Sequence, residues 1–191
     1  MATNTDVGYY NAAVKIKALL VAVVTSLGTV LLPRASYYIE NGFTSEFKKI
    51  SSKALNFIFI ISLPMIVYFI VFAKECIFFL SGTKFVPSTI PMQIIMPTLL
   101  FIGLTNILGI QILIPLGKER YVLYSTIVGA LVDLILNAIL IPQFQSAGAA
   151  IGTLVAEFAV FIVQFILIDS DIREMFKTFQ VYKIVIAVIA G

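Results

Sequence analysis

Asp133 and Glu157 are the residues whose chemistry this sequence has to accommodate, because each sits inside a long apolar run. Asp133 lies near the middle of 121–141 and Glu157 near the middle of 147–168. The stretch between the runs, 142–146, is short and uncharged. About 20 apolar residues cross the roughly 30 Å of bilayer hydrocarbon, so each run is long enough to span. A charge at that depth costs at least ~2.5 kcal/mol on insertion scales, so an acid found there is paired or functional. The chemistry open to it is exchange of a proton or cation, or hydrogen bonding to a polar cargo.

Residues at i, i+3, i+4 and i+7 of a helix share a face. Thr126, Gly129, Ala130, Asp133 and Asn137 fall together on the first run, with Leu, Ile and Val filling most other positions. Ala150, Thr153, Glu157 and Gln164 form a similar stripe on the second. Neighbouring helices turn such faces toward each other and away from lipid. Two readings stay open. The stripes are interhelical glue, each acid bonded to a hydroxyl, amide or base, or they line a transport path. Gly148, Gly152 and Ala156 make a small-residue ridge almost opposite Glu157, which is a packing signal.

Cations mark the boundary of an earlier apolar run. Lys15 and Lys17 stand at the mouth of a span expected over 16–39, and Pro33 and Arg34 interrupt it. A single lysine near a helix end snorkels to the head groups. Arg34 is the better candidate for an anion such as a lipid phosphate, because guanidinium meets phosphate in two-point geometry. Gln93, Asn106 and Gln111 belong to a proline- and glycine-rich run; they either bond sugars or cap freed backbone groups. Tyr9, Tyr10, Tyr37 and Tyr38 suit an interfacial aromatic belt.

The elements that position these residues follow from composition. The chain has 191 residues, 60% hydrophobic and only 12% charged, with a mean hydropathy of +1.05. A soluble domain carries about 25% charged residues, so soluble folds drop out. The fold class expected is an all-α polytopic membrane protein. Five complete spans are expected at about 16–39, 54–73, 89–116, 121–141 and 147–168, with a truncated sixth at 184–191. Residues 1–14 read as a loop leading into the first helix. Residues 74–88 read as interfacial, since the apolar stretch within them is far too short to span. The last run is also too short, which suggests a piece of a longer protein.

Other chemistries are removed by residue type. There is no histidine, so His-based triads and general bases are absent. The one cysteine, Cys76, permits no intrachain disulfide and no Cys/His metal cluster, and is expected to be inert. No Walker-type phosphate loop is present. No metal, cofactor or nucleic-acid partner is expected, and no enzymatic activity.

Charge bias orients the bundle. Lys48, Lys49, Lys53, Lys118, Arg120, Arg173, Lys177 and Lys183 fall on one set of alternate connections; Lys15, Lys17, Lys74 and Lys84 fall on the other. The side with the larger basic excess is expected to be cytoplasmic.

Several stretches carry a resemblance. GYYNAAVKI, LLPRAS, the IPLGKER turn, NAILIP and GAAIGTLVAEF, in that order and spacing, resemble the second half of polysaccharide repeat-unit flippases. These are the Wzx-type O-antigen, capsule and exopolysaccharide transporters of the MOP superfamily, related to the MATE exporters. The likeness covers about 8–165. It implies that 1–191 is the C-terminal transmembrane bundle of a two-bundle transporter in a bacterial cytoplasmic membrane. Its cargo would be a polyprenyl-diphosphate-linked oligosaccharide. Its partners would be the bilayer, the missing N-terminal half and the polysaccharide polymerase machinery. It also implies that Lys15 and Glu157 match the family pattern, whereas Asp133 stands where the family often has asparagine. Pathway candidates are then Lys15, Arg34, Gln111, Asp133, Asn137 and Glu157, with Asp133 and Glu157 coupling movement to H⁺ or Na⁺. A MATE-like cation-coupled drug antiporter is the alternative, and would be favoured if Lys15 and Arg34 lay outside the cavity. A membrane glycosyltransferase or polymerase needs a sizeable charged extracytoplasmic loop, which the short connections do not provide.

Overall fold

The computed structural model describes residues 4–168 together with Arg173, so the apolar run at 184–191 and nearly all of the linker before it lie outside the described residues. All regular structure among the described residues is helical.

Helix α1 runs Asn4–Glu40, beginning well before the expected start at residue 16. The loop expected over 1–14 is therefore helical from Asn4. No proline interrupts this stretch, and Asp6 in the first turn complements the positive end of the helix dipole. A 37-residue helix is about 55 Å long, so Pro33 is accommodated rather than terminating it. Helix α2 runs Thr44–Val71, ten residues earlier than expected at its start. The polar connection shrinks to 41–43, where Gly42 takes φ 72°. Lys48, Lys49 and Lys53 become the polar opening turns of α2 rather than a loop.

Beyond Val71 the chain forms a nine-residue helix, α3 (Ala73–Ser81), and a 3-10 turn at Thr83–Ser88. Neither can span, in keeping with the interfacial reading. The run expected at 89–116 is three pieces: α4 (Thr89–Ile95), α5 (Thr98–Thr105) and a π-helical segment, Asn106–Leu113. The break falls at Met96–Pro97, with a 48° bend. In the π segment Ile114 N–H donates to the Gly109 carbonyl at 3.1 Å, the i to i−5 pattern.

The final helix, α6, covers Glu119–Leu167 and contains the expected fourth and fifth runs. Gln145 breaks it with φ 51° and ψ −125°, three residues after Pro142. The chain doubles back there. Gln164 donates to Ser125 at 3.1 Å, although a straight helix would hold residues 39 apart about 58 Å from each other. A Cβ on Gly148 would overlap the Leu140 carbonyl, and one on Gly129 would overlap Val160. The two arms, 119–144 and 146–167, are thus antiparallel neighbours seamed by small residues.

Helix α1 packs against α2, α4, α5, the π segment and α6. Two apolar clusters hold the bundle. One gathers Leu55, Ile58, Leu108 and Ile112; the other gathers Ile77, Met92, Ile95 and Leu99. Three helices, α1, α2 and α6, are long and apolar enough to cross a membrane, or four if the bent pair counts as one span. The chain is a multi-pass helical membrane protein.

Candidate functional site

Asp6, Tyr10, Ala13 and Lys17 follow one another at i, i+4, i+7 and i+11, so α1 presents them on one face. This face meets the polar stripes of α6. Tyr10 Oη lies 2.7 Å from Thr153 Oγ1 on the second arm. Asp6, Tyr10, Asp133, Asn137, Gln145 and Thr153 line a cleft of about 280 Å³. A second hollow of about 240 Å³ lies beside it, lined by Thr126, Asp133, Thr153 and Glu157 among others. Asp133 and Thr153 border both.

Gly152 opens the cleft. A Cβ there would collide with Asn137 Oδ1 and stand 3.6 Å from Asp133 Oδ1, so the missing side chain leaves room for both oxygens. Each of these oxygens is buried without a hydrogen-bond partner among the described residues. Lys17 supplies the cation. It is half-buried on the face of α1 that carries Tyr10, within electrostatic reach of Glu157 and Asp133. The cluster therefore combines one amine with two carboxyl groups, a phenol, a hydroxyl and an amide. Chemically it can hold a cation or proton between carboxylates, present Lys17 to an anion, or hydrogen-bond polyols.

Of the six pathway candidates, the structure brings together Asp133, Asn137 and Glu157. It leaves Lys15, Arg34 and Gln111 apart. Lys15 is exposed, two residues and so about 200° round α1 from Lys17. Arg34 is also exposed, about 25 Å further along α1. Gln111 is buried, but in another polar layer: its amide is 3.5 Å from Asn106 Oδ1 and abuts Gly28 of α1. Gln164 bonds Ser125 rather than joining Glu157. Lys17, Tyr10 and Asp6 are the members that the sequence reading left out of the site. Their common helical face is legible once α1 is carried back to residue 4.

A helical membrane protein with a polar cleft between its first helix and a helical hairpin is the class that these features define. Comparison with known proteins narrows it. Residues 1–90 match the family model described as "Polysaccharide biosynthesis protein". An uncharacterized membrane protein of Methanocaldococcus jannaschii is 27% identical over 173 residues, covering 91% of this chain and 34% of that protein. The "Probable low-salt glycan biosynthesis flippase Agl15" of Haloferax volcanii is 23% identical over 158 residues, covering 83% of this chain and 33% of that protein. The chain thus spans about a third of the length of these archaeal relatives. No solved structure matches it.

Proposed function

We propose that this chain is one helical bundle of a membrane flippase that moves a lipid-linked oligosaccharide for surface glycan assembly. The match over residues 1–90 and the likeness to a glycan biosynthesis flippase support a flippase-like family. The observation that carries the reading is the pair of adjoining hollows that share Asp133, one reaching Asn137 and the other Glu157, placed in helices long enough to lie within a bilayer. Intramembrane acids facing a cavity mark transport pathways.

In this reading α6 crosses twice, once per arm, and with α1, α2 and the bent α4–α5 run gives five crossings. The rest of the transporter supplies the opposite wall. Lys17 attracts the diphosphate, Asn137, Tyr10 and Thr153 meet sugar hydroxyls, and the lipid tail stays in the bilayer. Glu157 and Asp133 take up a cation or proton as the two bundles rock. The work is transport rather than enzymatic catalysis, in the cytoplasmic membrane.

The test uses the intact parent gene in a deletion strain, carrying Lys17→Ala, Asp133→Asn or Glu157→Gln. Surface polysaccharide, cytoplasmic-side lipid-linked units and membrane protein level are measured together. Lost surface polymer with accumulation of the unit inside, at normal protein level, is the expected result. Normal polymer in the deletion strain itself would sink the reading.

One observation favours the second reading, a MATE-like cation-coupled antiporter: Lys15 and Arg34 stand exposed, away from the carboxyl groups. That reading requires cation-driven efflux of an organic cation from vesicles, lost in Glu157→Gln, with surface polysaccharide unaffected.

A further inference from the structure

Helix α3 carries an apolar surface that the bundle does not use. Its buried side is only Ala73 and Ile77, both 0% exposed. Phe78 and Phe79 face outward, Phe79 at 86% exposure, and Leu80 is exposed beside them. Exposed Ile60, Val67, Tyr68, Val71 and Phe72 run up α2 to meet them. The outward face of α2 therefore continues into α3 without a polar interruption except Lys74 and Glu75.

Lengths fix where this surface lies. Lys53 and Lys74 are 21 positions apart, about 31 Å of helix, and bound an uncharged apolar stretch. That distance matches the hydrocarbon thickness, so Lys74 marks a membrane boundary and α3 begins at it. At this point the helix does not simply continue outward. Phe72 has ψ 25°, outside the helical range, and α3 starts again at Ala73. Gly82, at φ 84°, then turns the chain back into the 3-10 segment, where Phe85 meets Tyr9 edge-on at 6.2 Å. A short helix with phenylalanines outward and lysines at its flanks has the composition of an interfacial anchor.

We propose that α3 is seated in the lipid interface on the membrane face opposite Lys48, Lys49 and Lys53, with Phe78 and Phe79 in the boundary between head groups and acyl chains. The occupant of this surface is lipid, because the surface is continuous with the outward face of a spanning helix. The anchor holds the Gly82–Phe85 turn against the start of α1, and so fixes the mouth of the cleft at head-group depth. This inference rests on membrane crossing alone and not on the flippase reading.

The chain has no tryptophan, which makes a single indole a clean probe. Phe79→Trp, and in a second preparation Phe78→Trp, are placed in the full chain and reconstituted in phosphatidylcholine vesicles. Emission is then measured with lipids brominated at shallow or deep acyl positions. Val67→Trp on α2 serves as the deep reference. The expected result is blue-shifted emission at positions 78 and 79, with most intensity lost to shallow bromines and less to deep ones, the reverse of position 67. Red-shifted, unquenched emission would overturn the proposal by placing α3 in water. Blue-shifted emission that bromines leave untouched would equally overturn it by showing protein, such as a second copy of the chain, over the patch.

Discussion

Tyr10 and Thr153, 143 positions apart in sequence, are joined by a 2.7 Å hydrogen bond that ties α1 to the second arm of α6. It sits where the cleft passes into the hollow below, since Thr153 lines both spaces and Tyr10 the upper one. Interhelical hydrogen bonds in membrane proteins average about 0.6 kcal/mol by double-mutant cycles. Tyr10→Phe and Thr153→Val, singly and together, should therefore show a coupling of about that size in detergent unfolding. Strictly additive effects would mean that the bond contributes nothing to docking α1.

Lys17 is half-buried within electrostatic reach of Glu157 and Asp133, so removing its charge should cost more than removing an exposed lysine. A buried charge left without its counterpart costs about 1–3 kcal/mol or more. Lys17→Met is expected to lower unfolding stability by this amount, while Lys15→Met, on an exposed site, stays within about 0.5 kcal/mol. Adding Glu157→Gln to Lys17→Met should recover part of the loss. Equal effects of the two lysine variants would show that Lys17 is solvated like its neighbour.

How much of this was legible in the sequence depends on where helices were taken to begin. The period of Asp133 and Asn137, and of Thr153 and Glu157, already placed these residues on facing stripes, and the uncharged 142–146 marked the reversal. The start of α1 is not legible, because 1–14 is polar to mildly apolar and reads as a loop. With a start at residue 16, Lys17 looks like a head-group anchor equivalent to Lys15. With a start at Asn4 it lies more than three turns inside, on the face of Tyr10. Gln111 stands out in the sequence as a polar residue on a broken run, and nothing local reveals that it lies against Gly28. The continuous run at 89–116 concealed the break at Pro97, where the prolines and glycines announced bending without fixing its site.

Gly148 and Gly152 predict contrasting phenotypes from the same substitution. A Cβ on Gly148 meets the backbone carbonyl of Leu140, which cannot move without shifting an arm of α6. Gly148→Ala should thus destabilise the hairpin by about 1–3 kcal/mol, the usual cost of overpacking. The Cβ on Gly152 meets only the side-chain end of Asn137, which can rotate away. Gly152→Ala should leave unfolding within about 1 kcal/mol of the parent but displace Asn137 from the cleft. Under the flippase reading, the same change in the intact parent gene should lower surface polymer at normal protein level. Reversal of the two stability effects would contradict the antiparallel seam.

Cys76 on α3 tests the orientation of the whole bundle. The proposed seat of α3 puts it on the membrane face opposite Lys48, Lys49 and Lys53, which the positive-inside rule assigns to the cytoplasm. As the only cysteine of the chain, it should be labelled by a membrane-impermeant maleimide applied outside intact cells, without permeabilisation. The reaction should be slow. Partial burial raises the thiol above its ordinary range, and the Glu75 charge adds to the effect. Thiolate is the reacting species, so at pH 7 a smaller fraction reacts than for a free cysteine. The rate should climb about tenfold per pH unit and continue climbing past the pH at which a free cysteine levels off. Glu75→Gln should move this profile toward lower pH, since it removes a charge that opposes ionisation. Labelling only after permeabilisation would invert the topology and place α3 on the cytoplasmic face.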